Sequence, residues 1–264
     1  MSTLAVAVRD SSTMTRRSVR RLIRYPSMTV ILVGMPVVFL LLFVYVFGET
    51  LGTGLGGITL GREGYADYVT PGILVITIAA AAQGTAISVA LDMSAGLIAR
   101  FRTMPVTRSA VLTGHAVSAF LQTMLSLVVL LAVALAVGFR PTADVGDWLA
   151  AAGVLALFTV ALTWLSVALG LVAKSPESAS NLPMFLILLP FLSSGFVPTS
   201  SLPGPLQWFA ENEPFTPLIE SVRGLLLSTP STHDLVAALL WSLAIAVGSF
   251  LWARWMFERR PTRS

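Results

Sequence analysis

The sequence predicts an all-α integral membrane protein with six transmembrane helices, and three observations carry that prediction. The chain has 264 residues, of which 55% are hydrophobic and only 11% charged, against about 45–50% and about 25% in an ordinary soluble domain. Its mean hydropathy of +0.83 excludes a soluble enzyme of this length and a disordered chain alike, because that much apolar surface cannot be left in water. The charge-free apolar runs are each near the roughly 20 residues that cross a hydrocarbon core, and at roughly 40 residues per span plus loop the length accommodates about six of them.

The elements follow in order. Residues 11–26 read SSTMTRRSVRRLIRYP. On a helix, Val19, Leu22, Ile23 and Pro26 share a face, and Arg16, Arg20 and Arg24 recur every fourth residue, with Arg17 and Arg21 beside them. Ser11, Ser12 or Thr13 would cap it. This is the pattern of an interfacial amphipathic helix, with its apolar side among headgroups and its arginines toward phosphate. It serves either as an anchor alone or as a surface that also touches a cytoplasmic partner.

The first span is Met28–Gly48, the second Val69–Leu91, the third about Ala110–Val137 and the fourth about Leu149–Ala173. Residues 178–210 contain no charged side chain. Their densest apolar part, Asn181–Val197, is the fifth span, and Pro183 and Pro190 should bend it. The sixth is Leu235–Ala253. The first apolar stretch exceeds the roughly 7–15 residues of a signal peptide and no clear cleavage site follows it, so a retained helix is expected. The runs do not alternate polar and apolar, which argues for helices over barrel strands.

Placing the charges orients these spans. Fourteen of the seventeen basic residues fall on one side, leaving Arg62, Arg140 and Arg223 on the other, where nine of the thirteen acids also lie. The positive-inside rule then puts both termini in the cytoplasm. One domain is expected over 1–264: a cytoplasmic amphipathic segment (1–27), a six-helix membrane domain (28–257) and a cytoplasmic tail (258–264). The pI of about 10.1 is explained by membrane-flanking arginines, so no nucleic-acid partner is expected.

Several chemistries are absent. There is no cysteine, hence no disulfide framework or thiolate metal site, and no metal site is expected. Asp, Glu, Lys and Arg are missing from the interiors of the six spans, whereas ion-coupled carriers usually need an ionisable group there. Gln83, Gln122 and His115 are the strongly polar exceptions, better suited to helix packing or an interfacial position than to translocation. The glycines of residues 52–57 lack the Lys-Ser/Thr ending of a phosphate loop. An intramembrane serine protease would need a serine and a histidine at matching depth. There is no Gly-x-Ser-x-Gly, and His233 lies in a loop. No catalytic residue is expected.

Two segments carry more. Residues 92–108, DMSAGLIARFRTMPVTR, are far longer than a plain connector of about four residues. Leu97, Ile98, Phe101 and Met104 stand there at helical spacing, with Pro105 as a stop. Either a short helix lies on the membrane surface or its apolar residues fit a partner's groove. Between Pro198 and Pro230 lie six of the fifteen prolines, which should break that stretch into short helices, with Trp208 and Phe209 suited to the interface.

With Gly96, Ile98, Phe101 and Pro105 in place, the cytoplasmic loop resembles that of the ABC type-2 (exporter) transporter permeases. Arg100-Phe101-Arg102 is similar to the drug-exporter branch. The acidic and basic run that many members carry before the glycine is reduced here to Asp92. A second match comprises Asn181, Pro190, Ser193 to Pro198, Leu202-Pro203, Leu206, Pro214, Thr216-Pro217 and Arg223-Gly224. It resembles the region at and after the fifth span of daunorubicin-resistance-type membrane subunits.

The resemblance implies a permease that binds no cofactor itself, paired with a second permease, identical or homologous, and with two copies of a cytoplasmic ATPase subunit that holds ATP and Mg. It implies that Gly96 to Pro105 couples to the ATPase, with Leu97, Ile98 and Phe101 as apolar anchors and Arg100 and Arg102 at the rim, and that the N-terminal helix (Arg16, Arg17, Arg20, Arg21, Arg24) supports the same surface. It also implies external re-entrant-type helices before the last span, marked by Ser193, Gly195, Pro198, Pro203, Pro217 and Arg223. The first and fifth spans would form the dimer seam, with Phe39, Phe43, Phe185 and Leu189 along it. The cargo would be amphipathic, drug-like or lipid-like. A membrane scaffold or assembly factor using the same fold without transport is the alternative.

Overall fold

A segment that finds no water in lipid must satisfy its own backbone, and the chain does so with helices. The computed structural model describes residues 26–50, 61–94, 108–173 and 175–259, with no strand among the described residues. The arginines of the N-terminal amphipathic segment, the 52–57 glycines and Gly96 to Pro105 lie outside the described residues.

Helix α1 (Pro26–Leu41) continues through a π-helical turn at Leu42–Phe47. It is followed by α2 (Gly61–Ser94), α3 (Arg108–Val137), α4 (Val145–Val172), α5 (Pro176–Asn181), α6 (Met184–Leu188), a 3-10 turn at Leu189–Leu192 and another at Thr199–Ser201. Then come α7 (Gly204–Asn212), α8 (Phe215–Leu226) and α9 (Thr232–Arg259). Among the described residues, five helices are long and apolar enough to cross a membrane: Val33–Thr50, Gly61–Met93, Ala116–Val137, Val145–Val172 and Thr232–Met256. They coincide with five of the six predicted spans.

The remaining stretch, Asn181–Val197, is not one helix. Pro183 and Pro190 have no N–H to give to the carbonyls of Ala179 and Leu186, and the chain breaks at both places. α5 ends at Asn181, α6 runs only from Met184 to Leu188, and a 3-10 turn and an irregular turn at 193–196 complete the segment. α5 itself is well begun, with a capping box in which Ser175 and Ser178 bond each other's backbone N–H groups.

Helix α2 starts eight residues before the predicted second span. At 1.5 Å per residue it is about 50 Å long, well over the roughly 30 Å of a hydrocarbon core. The surplus lies at its start, where Arg62, Glu63 and Asp67 end the apolar run while Tyr65, Ala66 and Val69 are almost wholly buried. α4 is begun by Asp144, whose Oδ1 accepts the N–H of Asp147 at 2.8 Å.

Helices α2 and α4 form the centre. α4 packs between α2 and α9, α3 packs on both central helices, α1 packs on α2 and α3, and α5 and α6 lie on α2. α8 wedges between α2, α4 and α9 at one end, where Phe215 meets Phe158 edge to face, 5.3 Å between centroids. Hydroxyls within the bundle return to the preceding turn: Thr70, Thr77 and Thr85 in α2, Thr123 and Ser126 in α3, and Thr159 and Ser166 in α4 each bond the carbonyl four residues back.

Two close approaches onto α2 require glycine. A Cβ on Gly72 would lie 2.8 Å from the carbonyl oxygen of Gly195, and one on Gly170 would lie 2.6 Å from that of Ala86. The first presses the broken segment onto α2 and the second presses α4 onto α2.

Candidate functional site

The prolines between 198 and 230 do what their chemistry dictates. Pro203 precedes α7 and Pro214 precedes α8, each at a place where a missing N–H costs nothing. α8 is buried along nearly its whole length and ends with its last turn closed by Thr229 N–H on Gly224 O at 2.7 Å. That six-to-one bond places Ser228 at φ +54°, where glycine is usual. The Ser228 hydroxyl donates to Thr142 O at 2.8 Å, and the N–H groups of Thr142 and Ala143 donate to Leu226 O at 3.0 and 3.2 Å. The Arg140 N–H donates to Asp67 Oδ1 at 2.7 Å. The α3–α4 loop is thereby tied to both α8 and α2.

Arg223 lies at the middle of this cap and is 8% exposed. Its Nε and Nη2 donate to Tyr68 O at 3.2 and 3.0 Å, Nη2 donates also to Ser194 O at 2.8 Å, and Nη1 pairs with Glu220 one turn back. The guanidinium carbon stands 3.9 Å from the centroid of the Tyr68 ring. The Tyr68 hydroxyl donates to the same Ser194 carbonyl at 2.9 Å. Helix α8, the charged start of α2 and the broken fifth segment thus meet at one cation. A buried arginine is tolerable only when its charge is paired and its donors are used, and both conditions hold here.

The turn below it is as closely knit. Ser194 N–H donates to the Thr216 hydroxyl at 3.2 Å, and Glu213 Oε1 accepts the Thr216 N–H at 2.8 Å. Glu213 is buried, and burial lifts its carboxyl from 4.5 to about 7 against the opposing hydrogen bonds of Phe215 and Thr216.

Of the residues expected from the external motif, Ser193 and Gly195 flank the Ser194 carbonyl that Arg223 holds, whereas Pro198 and Pro203 lie in the stretch between Ser194 and Arg223. The buried Ser193 hydroxyl donates to Pro190 O at 2.7 Å and accepts the Gly195 N–H at 3.2 Å, which shapes the irregular turn. Pro198 O accepts the Ser201 hydroxyl at 2.7 Å, Pro217 O accepts the Ser221 hydroxyl at 2.7 Å, and Pro203 stands exposed before α7. The partners of Arg223 were missed in the sequence. Glu220 three residues back was the one available signal, because Tyr68 and Ser194 contribute main-chain carbonyls.

Of the residues expected at a seam, Phe39 meets Phe191 edge to face at 6.1 Å, and Phe43 lies 4.5 Å from Phe196, which stacks on Phe191 at 4.8 Å. These two rings are therefore engaged within the chain, where they bring α1 against the broken segment. Leu189 is half-buried, and Phe185 is 52% exposed beside the exposed Met184 and Leu188. Gln83 packs as expected, its Nε2 donating to Ser180 O at 2.8 Å and bonding α2 to α5. No group of His, Asp or Glu suited to a metal ion occurs among the described residues. The site is a clamp between helices, whose charged and polar groups hold backbone.

A helical bundle with five membrane-length apolar helices among its described residues, and a proline-broken segment clamped to a long central helix, is a multi-pass membrane protein. The chain belongs to the ABC-2 type transporter family, whose model matches residues 10–227, a family of non-catalytic transmembrane permease subunits that work with a separate ATPase. It is 30% identical over 234 residues, 87% of this chain and 79% of the relative, to a daunorubicin resistance ABC transporter permease protein of Streptomyces coeruleorubidus. It is 25% identical over 197 residues, 72% of this chain and 71% of the relative, to a probable doxorubicin resistance ABC transporter permease protein of Mycobacterium tuberculosis.

Proposed function

We propose that this permease is the membrane half of an exporter that moves an amphipathic, drug-like or lipid-like molecule out across the cytoplasmic membrane, powered by two copies of an ATPase subunit that bind ATP and Mg. The family match from residue 10 to residue 227 carries this reading, and the relatives named for daunorubicin and doxorubicin resistance support the cargo class. The charge-free interiors of the predicted spans leave the driving energy to a partner.

The broken segment is read as the fifth of six crossings. Its apolar helical part, Glu177–Leu192, is about 24 Å long at 1.5 Å per residue, and the turn at 193–197 lengthens it. Charge favours the even count. With five crossings, the arginines before α1 and those ending α9 would lie on opposite sides, against the positive-inside rule. With six, both termini are cytoplasmic and the Arg223 clamp is external, with α7 and α8 as the re-entrant-type helices.

Gly96, Leu97, Ile98, Arg100, Phe101, Arg102 and Pro105 couple to the ATPase in this reading, beside the N-terminal arginines. The second permease, identical or homologous, packs on α1 and the broken segment. Phe185 faces it, with Phe39, Phe43 and Leu189 behind the contact.

The reading is tested by producing the chain with its ATPase subunit in a drug-sensitive bacterium and following intracellular daunorubicin and a fluorescent short-chain phospholipid. Lower steady-state accumulation of either, lost when the ATPase cannot hydrolyse ATP, is expected. A stable complex that changes neither would favour the scaffold.

A further inference from the structure

We propose that Glu213 is a proton-operated latch, which holds the α7–α8 turn closed on the broken fifth segment while neutral and loosens it when ionised. The turn is built around this side chain. Its Oε1 accepts both the N–H and the hydroxyl of Thr216, at 2.8 and 3.3 Å, and so caps the start of α8. The same hydroxyl accepts the N–H of Ser194 at 3.2 Å, and the Ser194 carbonyl takes the bonds of Tyr68 and Arg223. One line of hydrogen bonds therefore joins Glu213 to the clamp on α2.

The second oxygen makes the arrangement sensitive to a proton. Glu213 is 5% exposed, and its Oε2 is buried with no hydrogen-bond partner. A carboxylate in that place loses the solvation of one oxygen outright, whereas a proton on Oε2 removes the charge and leaves Oε1 free to cap. The N-terminus of α8 favours the ionised form, but burial outweighs it and lifts the carboxyl from 4.5 to about 7.

The elements on this turn are α7, α8 and the Thr199–Ser201 turn, with Glu211, Glu220 and Arg223 as their charged groups. Tyr65, Asp67 and Tyr68 stand on the adjoining end of α2, and Asp147, His233 and Asp234 at the starts of α4 and α9. Arg223 is already engaged by Glu220 and two carbonyls. The packed turn keeps its proton up to about pH 7, while an open, solvated Glu213 releases it at its ordinary 4.5. Raising the pH through that window therefore shifts the balance progressively toward the open turn, and above it the proton's contribution is fully lost.

The absence of native cysteine makes a single introduced thiol a clean reporter. Ala210 in α7 is fully buried. Purified Ala210→Cys protein in detergent is labelled with a maleimide between pH 5.5 and 8.5, each rate being divided by that of the denatured sample to remove thiol ionisation. The normalised rate should rise several-fold with a midpoint near pH 7, and adding Glu213→Gln should hold it low and flat. An equal rise in the Glu213→Gln protein, or no rise in its parent, overturns the latch.

Independently of the reporter, the thermal midpoint of cysteine-free Glu213→Gln should exceed that of the parent by a margin that widens between pH 5.5 and pH 8.5. A difference that does not change with pH overturns the proposal as well. Neither measurement involves the ATPase or transport, so either outcome leaves the export reading where it stands.

Discussion

The guanidinium of Arg223 covers the ring of Tyr68 while two of its nitrogens bond that same residue's carbonyl oxygen. A single residue on α2 thus receives the cation by its π face and by its backbone, and the Tyr68 hydroxyl reaches on to the Ser194 carbonyl that Arg223 also holds. The broken segment is fixed to the bundle by this pair, at the point where its own helix hydrogen bonds have stopped.

Truncating the cation should loosen that attachment. Arg223→Ala removes the donors to the Tyr68 and Ser194 carbonyls and the cation beside the partly exposed Glu220, and should lower stability by about 1–3 kcal/mol, read by denaturant or thermal unfolding in detergent. Arg223→Lys keeps the charge but cannot fork across two carbonyls, and should show about half that loss. Equal stability of all three proteins would mean that the clamp does not hold the segment.

The approach of Gly72 to Gly195 gives a second expectation. In Gly72→Ala the new Cβ falls 2.8 Å from a backbone oxygen, which cannot swing aside as a side chain would. A loss of about 1–3 kcal/mol is expected. Gly84 lies on the same helix with nothing within 4 Å of its would-be Cβ. Gly84→Ala should therefore be neutral or gain up to about 1 kcal/mol from helix propensity. Thermal midpoints of the two variants, compared side by side, decide this.

The segment proposed to couple to the ATPase gives a third. Replacing Leu97 and Phe101 together by Asp should abolish co-purification of the ATPase subunit, because charged side chains cannot fill an apolar groove, while yield in the membrane fraction stays unchanged. An undiminished complex would remove these residues from the ATPase interface.

Most of the bundle was legible because lipid imposes a simple rule, that a span carries no unpaired charge. The apolar runs ending near Gly48, Leu91, Val137, Ala173 and Ala253 correspond to α1, α2, α3, α4 and α9. The same rule hid the start of α2. Arg62, Glu63 and Asp67 end the apolar signal, yet nothing there breaks a helix, and Tyr65 and Val69 are buried by α8 and its neighbours, which no local pattern reveals. A bend at Pro183 and Pro190 was legible, but the division of that stretch into separate short helices was not.

The clamp was only half legible. Arg223 stood out within a motif, but its bond to Tyr68 spans 155 positions and ends on a carbonyl, a group every residue has. Glu213 was one acid among several until its burial and its unpartnered oxygen were seen. Phe39 and Phe43 meet Phe191 and Phe196 where α1 packs on the broken segment, contacts between distant stretches that no local pattern reveals.

Vectorial transport by purified components tests the central claim most directly. Proteoliposomes containing this chain, its ATPase subunit and the second permease where that is a different chain, with ATP added outside, should accumulate daunorubicin or a fluorescent phospholipid through the population whose ATPase faces outward. That uptake should stop with a non-hydrolysable nucleotide and with the Leu97, Phe101 double Asp variant. ATP hydrolysis by a stable complex with no net movement of either compound would contradict it.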